Sequence, residues 1–145
     1  VNGTEPAPPE KDLVQIGASP ASREILERLQ ELGNIADLMD GYLLAIAVAI
    51  GFGRKPDSKT DSDRKTMFAV GNLDQDGALR EAIKEIYPSS RDTPARAAED
   101  LAEQGLMIIR DSIQGDEFSF TDILVRVEKA NTSHEPGVAS APGGA

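Results

Sequence analysis

The sequence predicts a mostly α-helical single domain in which four to five helices pack around a central apolar helix, with room for one short β-hairpin or extended segment. Three observations lead there. The 145-residue chain has four Phe, two Tyr and no Trp. Its core must therefore come from Leu, Ile, Val, Ala and Met, which suit packed helices better than a sheet sandwich. Between Ile35 and Ile50 nearly every residue is apolar, with Ala45, Ala47 and Ala49 interleaved among larger side chains. A helix apolar all round belongs at the centre of a fold. Finally, Ser19-Pro20 and Thr93-Pro94 each join a capping hydroxyl to a proline suited to the first helical position.

The elements follow in order. Residues 1–18 carry Pro6, Pro8 and Pro9 among Gly, Glu and Asp and read as a disordered tail, as do residues 131–145. The helical domain is then expected over residues 19–130. In the first helix, from Ser19-Pro20, Ile25, Leu26, Leu29 and Leu32 form one stripe, and Gly33-Asn34 ends it. The second spans Ile35 to Ile50 and stops at Gly51 and Gly53. A buried strand competes for this run, but its length and its alanines favour helix. Arg54 to Lys65 has no apolar period and reads as a surface loop, followed by a short extended piece over Thr66 to Val70.

Asp74 or Asp76 can cap a third helix, with Ala78, Leu79, Ala82, Ile83 and Ile86 on one face up to Pro88. The fourth starts at Thr93-Pro94 and buries Ala97, Ala98, Leu101, Ala102, Leu106 and Ile109. Gly105 within it marks either a close helix crossing or an early break. After Gly115, Ile123, Leu124, Val125 and Val127 form a fifth helix or a strand, and the pattern leaves both open.

The formal charge of −10 argues against direct nucleic-acid binding and against adhesion to anionic membranes, both of which need clustered Lys and Arg. It permits protein partners with basic surfaces. The chain has no Cys, which removes disulfides, thiolate metal sites and cysteine nucleophiles. The longest apolar run, Tyr42 to Phe52, is about half of the ~20 residues that span a bilayer. With no visible leader, a cytoplasmic protein is expected.

Asn72-Leu73-Asp74-Gln75-Asp76-Gly77 resembles the start of a calcium loop, with alternating oxygen ligands and a glycine at the sharp turn. The position for a closing bidentate carboxylate is Ile83, however, and no adequate helix precedes the turn. An Asp-rich helix cap is the favoured reading, with a weak calcium-responsive domain as an alternative. Asp57, Asp61 and Asp63 alternate with Lys59, Arg64 and Lys65, cations that oppose a metal. No cofactor is implied.

The same loop is the most basic part of the chain. Arg54, Lys55, Lys59, Arg64 and Lys65 are the candidate residues for contact with a partner or an anion. The acidic faces of the third and fourth helices come second. No catalytic set is evident. The only histidine, His134, falls in the carboxy-terminal tail. The pairs Asp37/Asp40, Glu81/Glu85 and Glu99/Glu103 have the spacing that acidic surface faces routinely show.

The run Tyr42 to Lys55, with its Ile50-Gly51-Phe52 step into basic residues, and the run Ala98 to Leu106, with its Gly105-Leu106, carry a resemblance. Across about residues 36–113 the chain resembles small proteins encoded beside bacterial DNA phosphorothioation (Dnd) genes. The acidic stretch from Asp92 to Glu103 departs from that pattern. The resemblance implies an accessory protein of a DNA-modification or phage-defence locus and carries over no catalytic residue. The functional expectation is a non-enzymatic accessory or adaptor protein acting through a protein partner. The alternative is an acidic inhibitor of a nucleic-acid enzyme's basic groove.

Overall fold

The structure, a computed structural model, describes residues 11–56 and 63–133. In chain order it runs β1 (Gln15–Ala18), α1 (Pro20–Glu31), α2 (Leu38–Gly51), β2 (Lys65–Ala69), α3 (Val70–Leu73), α4 (Ala78–Ile86), α5 (Pro94–Ser112) and α6 (Phe120–Ser133). It is a mostly helical fold with one two-stranded antiparallel sheet. Among the described residues no helix is long and apolar enough to cross a membrane.

The centre is a pair of helices. Asp37 accepts a hydrogen bond from the Asp40 N–H at 2.9 Å and so starts α2 at Leu38 rather than at Ile35. Tyr42, Ala45, Ile46, Val48 and Ala49 of α2 are buried, while Ala47 reaches solvent. α5 crosses α2 in the most extensive contact of the fold and also meets α1, α4, α6 and β1. Gly105 marks that crossing, since a Cβ there would lie 1.8 Å from the Ala45 carbonyl oxygen. Of the two roles open to Gly105, the structure shows close approach, and α5 continues through it to Ser112.

α1 begins as its sequence indicates, with Ser19 Oγ accepting from the Ser22 N–H at 3.2 Å. α5 does not. Thr93 occupies the N-cap position but makes no side-chain cap bond. The carboxylate of Asp12 takes its place, accepting from the Ala95 N–H at 2.9 and 3.1 Å. Asp12→Ala is therefore expected to cost about 1 kcal/mol, the usual worth of an N-cap. A urea melt followed by circular dichroism checks it, and an unchanged midpoint would assign the cap to Thr93 after all.

Residues 11–18, placed by composition in the amino-terminal tail, are part of the fold. β1 pairs with β2 in the register Gln15↔Ala69, Ile16↔Phe68, Gly17↔Thr66 and Ala18↔Lys65, with an irregularity between Ile16 and Gly17. Gly17 is required there, because a Cβ would sit 2.0 Å from the Lys65 carbonyl oxygen. β2 coincides with the extended piece expected near Thr66, and α3 adds one helical turn after it. The carboxy-terminal segment is a helix, α6, which runs to Ser133. It docks through buried Ile123 and half-buried Val127, the latter against Gly51. Leu124 and Val125 on α6 remain exposed.

Candidate functional site

Arg54 and Lys55 are exposed at the carboxy-terminal end of α2. The helix closes there through Gly53 at φ +71°, and the Arg54 N–H bonds back to the Ala49 carbonyl at 2.9 Å. Cations are favoured at this end of a helix by its dipole. Two side chains hold the backbone. The Tyr87 hydroxyl donates to the Arg54 carbonyl at 2.6 Å, and Gln104 Nε2 donates to the Lys55 carbonyl at 2.7 Å. Arg126 of α6 lays its guanidinium over the Phe52 ring, 5.7 Å from the centroid, which brings a third cation to the same end of α2.

The remaining residues of the basic loop divide. Lys65 is exposed at the start of β2, and Lys59 lies outside the described residues, as do Asp57, Asp61 and His134. Arg64 turns inward. Its side chain is 12% exposed, and Nη1 lies 2.9 Å from Glu99 Oε1 and 2.8 Å from Asp100 Oδ1. The loop therefore does not present Arg64 on the basic surface expected of it, because buried carboxylates on α5 draw that charge into the fold.

Those carboxylates also overturn the expectation of an acidic outer face on α5. Glu99 Oε2 accepts from the Gly17 N–H at 2.9 Å, and Glu103 Oε2 accepts from the Ser19 N–H at 3.1 Å. The Tyr42 hydroxyl donates to the Gly17 carbonyl at 2.8 Å. β1 thus has its second backbone edge met by helix side chains where a third strand would otherwise be needed. Glu99 and Glu103 share the helical face of Ala95, Ala102 and Leu106, and that interruption of an apolar stripe was the available sequence signal.

Asp100 is the deepest of the group, with no exposed surface. Burial pushes its carboxyl up to about 7; the neighbouring Asp92 carboxyl adds to the rise, and Arg64 opposes it. Burial, with Glu99 and Glu103, likewise drives the Tyr42 phenol well above its ordinary value and keeps it a neutral donor. Burial alone would lower the Arg64 guanidinium, but the carboxylates of Glu99 and Asp100 outweigh it and fix the positive charge.

The Asp-rich turn serves α4. Asp74 accepts from the N–H groups of Leu79 and Arg80 at 3.0 and 3.1 Å and from Arg80 Nε at 2.8 Å, while Asp76 accepts from the Ala78 N–H at 3.1 Å. Burial raises the Asp74 carboxyl, but Arg80 and the two backbone donors prevail and hold it below the usual carboxylate range. Its oxygens are thereby committed to the start of α4, the cap that the sequence favoured. Among the described residues no group of three or more His, Cys, Asp or Glu is arranged to hold a metal ion.

No protein-family model, curated protein or solved structure matches the chain.

Proposed function

We propose that the chain is a non-enzymatic accessory protein that binds an acidic surface on a protein partner through Arg54 and Lys55, with Arg126 beside them. One observation carries this reading. In a molecule of formal charge −10, these cations project from a backbone that Tyr87 and Gln104 already hold in place. Little ordering is then left for the moment of contact, and prior order of this kind favours binding. Several other charged groups serve the fold: Arg64, Glu99 and Glu103 secure β1 and the start of β2 to α5, and Asp74 starts α4. The resemblance to proteins encoded beside Dnd genes supports a bacterial DNA-modification or phage-defence setting, and the absence of cysteine suits a cytoplasmic one.

Affinity capture with the wild-type chain and with Arg54→Glu/Lys55→Glu tests the proposal. The variant is expected to lose roughly ten-fold in captured partner, and wild-type capture should weaken as salt is added. Both side chains are exposed, so the melting temperature should hold and report that the fold is intact. Arg64 is left in place because it belongs to the interior. Equal capture by variant and wild type would remove this surface from the function.

A further inference from the structure

Large apolar side chains left in water are few in this fold, and they cluster. Of the five among the described residues, Phe120, Leu124 and Val125 lie on α6, with Leu124 at 66% and Val125 at 43% exposure. Single exposed aliphatic residues are ordinary, whereas neighbouring ones on a helix surface mark a place of contact. Packing within the chain does not use them. α6 docks through Ile123 and Val127, which leaves Leu124 and Val125 outside the docked face.

Charge marks the same place. Val127 meets Gly51, and the Arg126 guanidinium lies 5.7 Å from the Phe52 ring centroid. The middle of α6 therefore sits beside the segment that leads to Arg54 and Lys55. Lys129 is exposed, one helical turn beyond Val125 and next to Arg126 on the helix surface. Among the described residues, none of Arg54, Lys55, Arg126 and Lys129 is in an ion pair. Against these cations α6 sets two carboxylates, Asp122 in its first turn and Glu128. Four cations and an aliphatic pair thus meet at one end of a molecule whose formal charge is −10.

We propose that Leu124 and Val125 extend the Arg54/Lys55 surface, and that its occupant is an acidic segment of a partner protein carrying aliphatic side chains among its carboxylates. The proposal rests on the reading above, in which Arg54 and Lys55 make the contact, and it adds what the partner must present. Cations alone suit any acidic surface, and they contribute orientation and a fast encounter more than affinity. An apolar contact among them contributes affinity, because it takes aliphatic surface out of water inside a polar rim. It also distinguishes a protein from a nucleic acid. Phosphates would satisfy the cations and leave Leu124 and Val125 in water.

Fluorescence anisotropy with two short synthetic peptides tests this on the full chain. Both peptides carry the same number of glutamates, interspersed with leucine in one and with serine in the other. The wild type is expected to bind the leucine peptide about ten-fold more tightly. Leu124→Ser/Val125→Ser should lose that preference and keep its melting temperature, because both side chains are exposed. Arg54→Glu/Lys55→Glu should weaken both peptides about ten-fold. Equal binding of the two peptides by the wild type would overturn the proposal and leave the contact through Arg54 and Lys55 standing. So would a preference that survives Leu124→Ser/Val125→Ser. Binding that Arg54→Glu/Lys55→Glu leaves unchanged would remove that contact, and this proposal with it. Sedimentation of the chain alone completes the test. A wild-type dimer that Leu124→Ser/Val125→Ser converts to monomer would assign the surface to a second copy and overturn the proposal.

Discussion

Substituting alanine for Gly105 should lower the free energy of unfolding by about 3 kcal/mol or more. Elsewhere in a helix the same exchange stabilises by up to about 1 kcal/mol, because alanine restricts the unfolded chain and favours helix. Here the added methyl would stand 1.8 Å from the Ala45 carbonyl oxygen and 2.5 Å from its carbon. Those are backbone atoms of α2, so no side-chain rotation relieves the overlap and the two central helices must part. Parting them disturbs the largest contact in the fold and the buried side chains on either side of it. Gly71→Ala is the control, since nothing lies within 4 Å of a Cβ at that position. Urea unfolding of both variants checks the contrast. A Gly105→Ala chain as stable as the wild type would mean that α2 and α5 do not cross as closely as described.

Gly105 also illustrates what could be read from the residues. A glycine inside an apolar helical stripe has few explanations, and close approach was one of them. The starts of α1 and α4 were legible for the same kind of reason: Ser19-Pro20 and the Asp74–Gly77 turn act within a few residues of where they stand. What escaped depends on partners remote in sequence. Asp12 caps α5 from 83 residues away, and Glu99 reaches Gly17 across 82. In a local window Glu99, Asp100 and Glu103 look like solvent-facing carboxylates. They are buried because β1 offers unpaired N–H groups and Arg64 offers a charge. Gln15–Ala18 in turn is too short and too poor in β-branched residues to announce a strand, and it is ordered by that same row of side chains. The candidate contact surface was half legible. Arg54 and Lys55 stand out as expected, whereas Arg64 has the same composition and the opposite location.

The inward position of Arg64 sets the second large expectation, Arg64→Met, which should destabilise the protein by roughly 3–5 kcal/mol at pH 8 and by clearly less at pH 5. Methionine approximates the length of the side chain but leaves Glu99 and Asp100 without the cation that meets them at 2.9 and 2.8 Å. The dependence on pH follows from Asp100. Its folded carboxyl is pushed up to about 7, against about 3.9 for an unperturbed aspartate. Between those values the folded state binds a proton that the unfolded chain has released. Stability from this group is complete below about pH 4 and is lost as pH rises through about 7, at up to about 1.4 kcal/mol per unit. Arg64 favours the ionised form, so its removal raises the folded value further and carries the loss past pH 7. At pH 5 Asp100 is protonated with or without Arg64, and the variant is spared that part of the penalty. Asp100→Asn should flatten the wild-type slope between pH 5 and 8, because no proton is then exchanged at that position. Urea melts of the three chains at the two pH values make the comparison. Equal penalties for Arg64→Met at pH 5 and pH 8 would show that Arg64 does not serve as the counter-charge to Asp100.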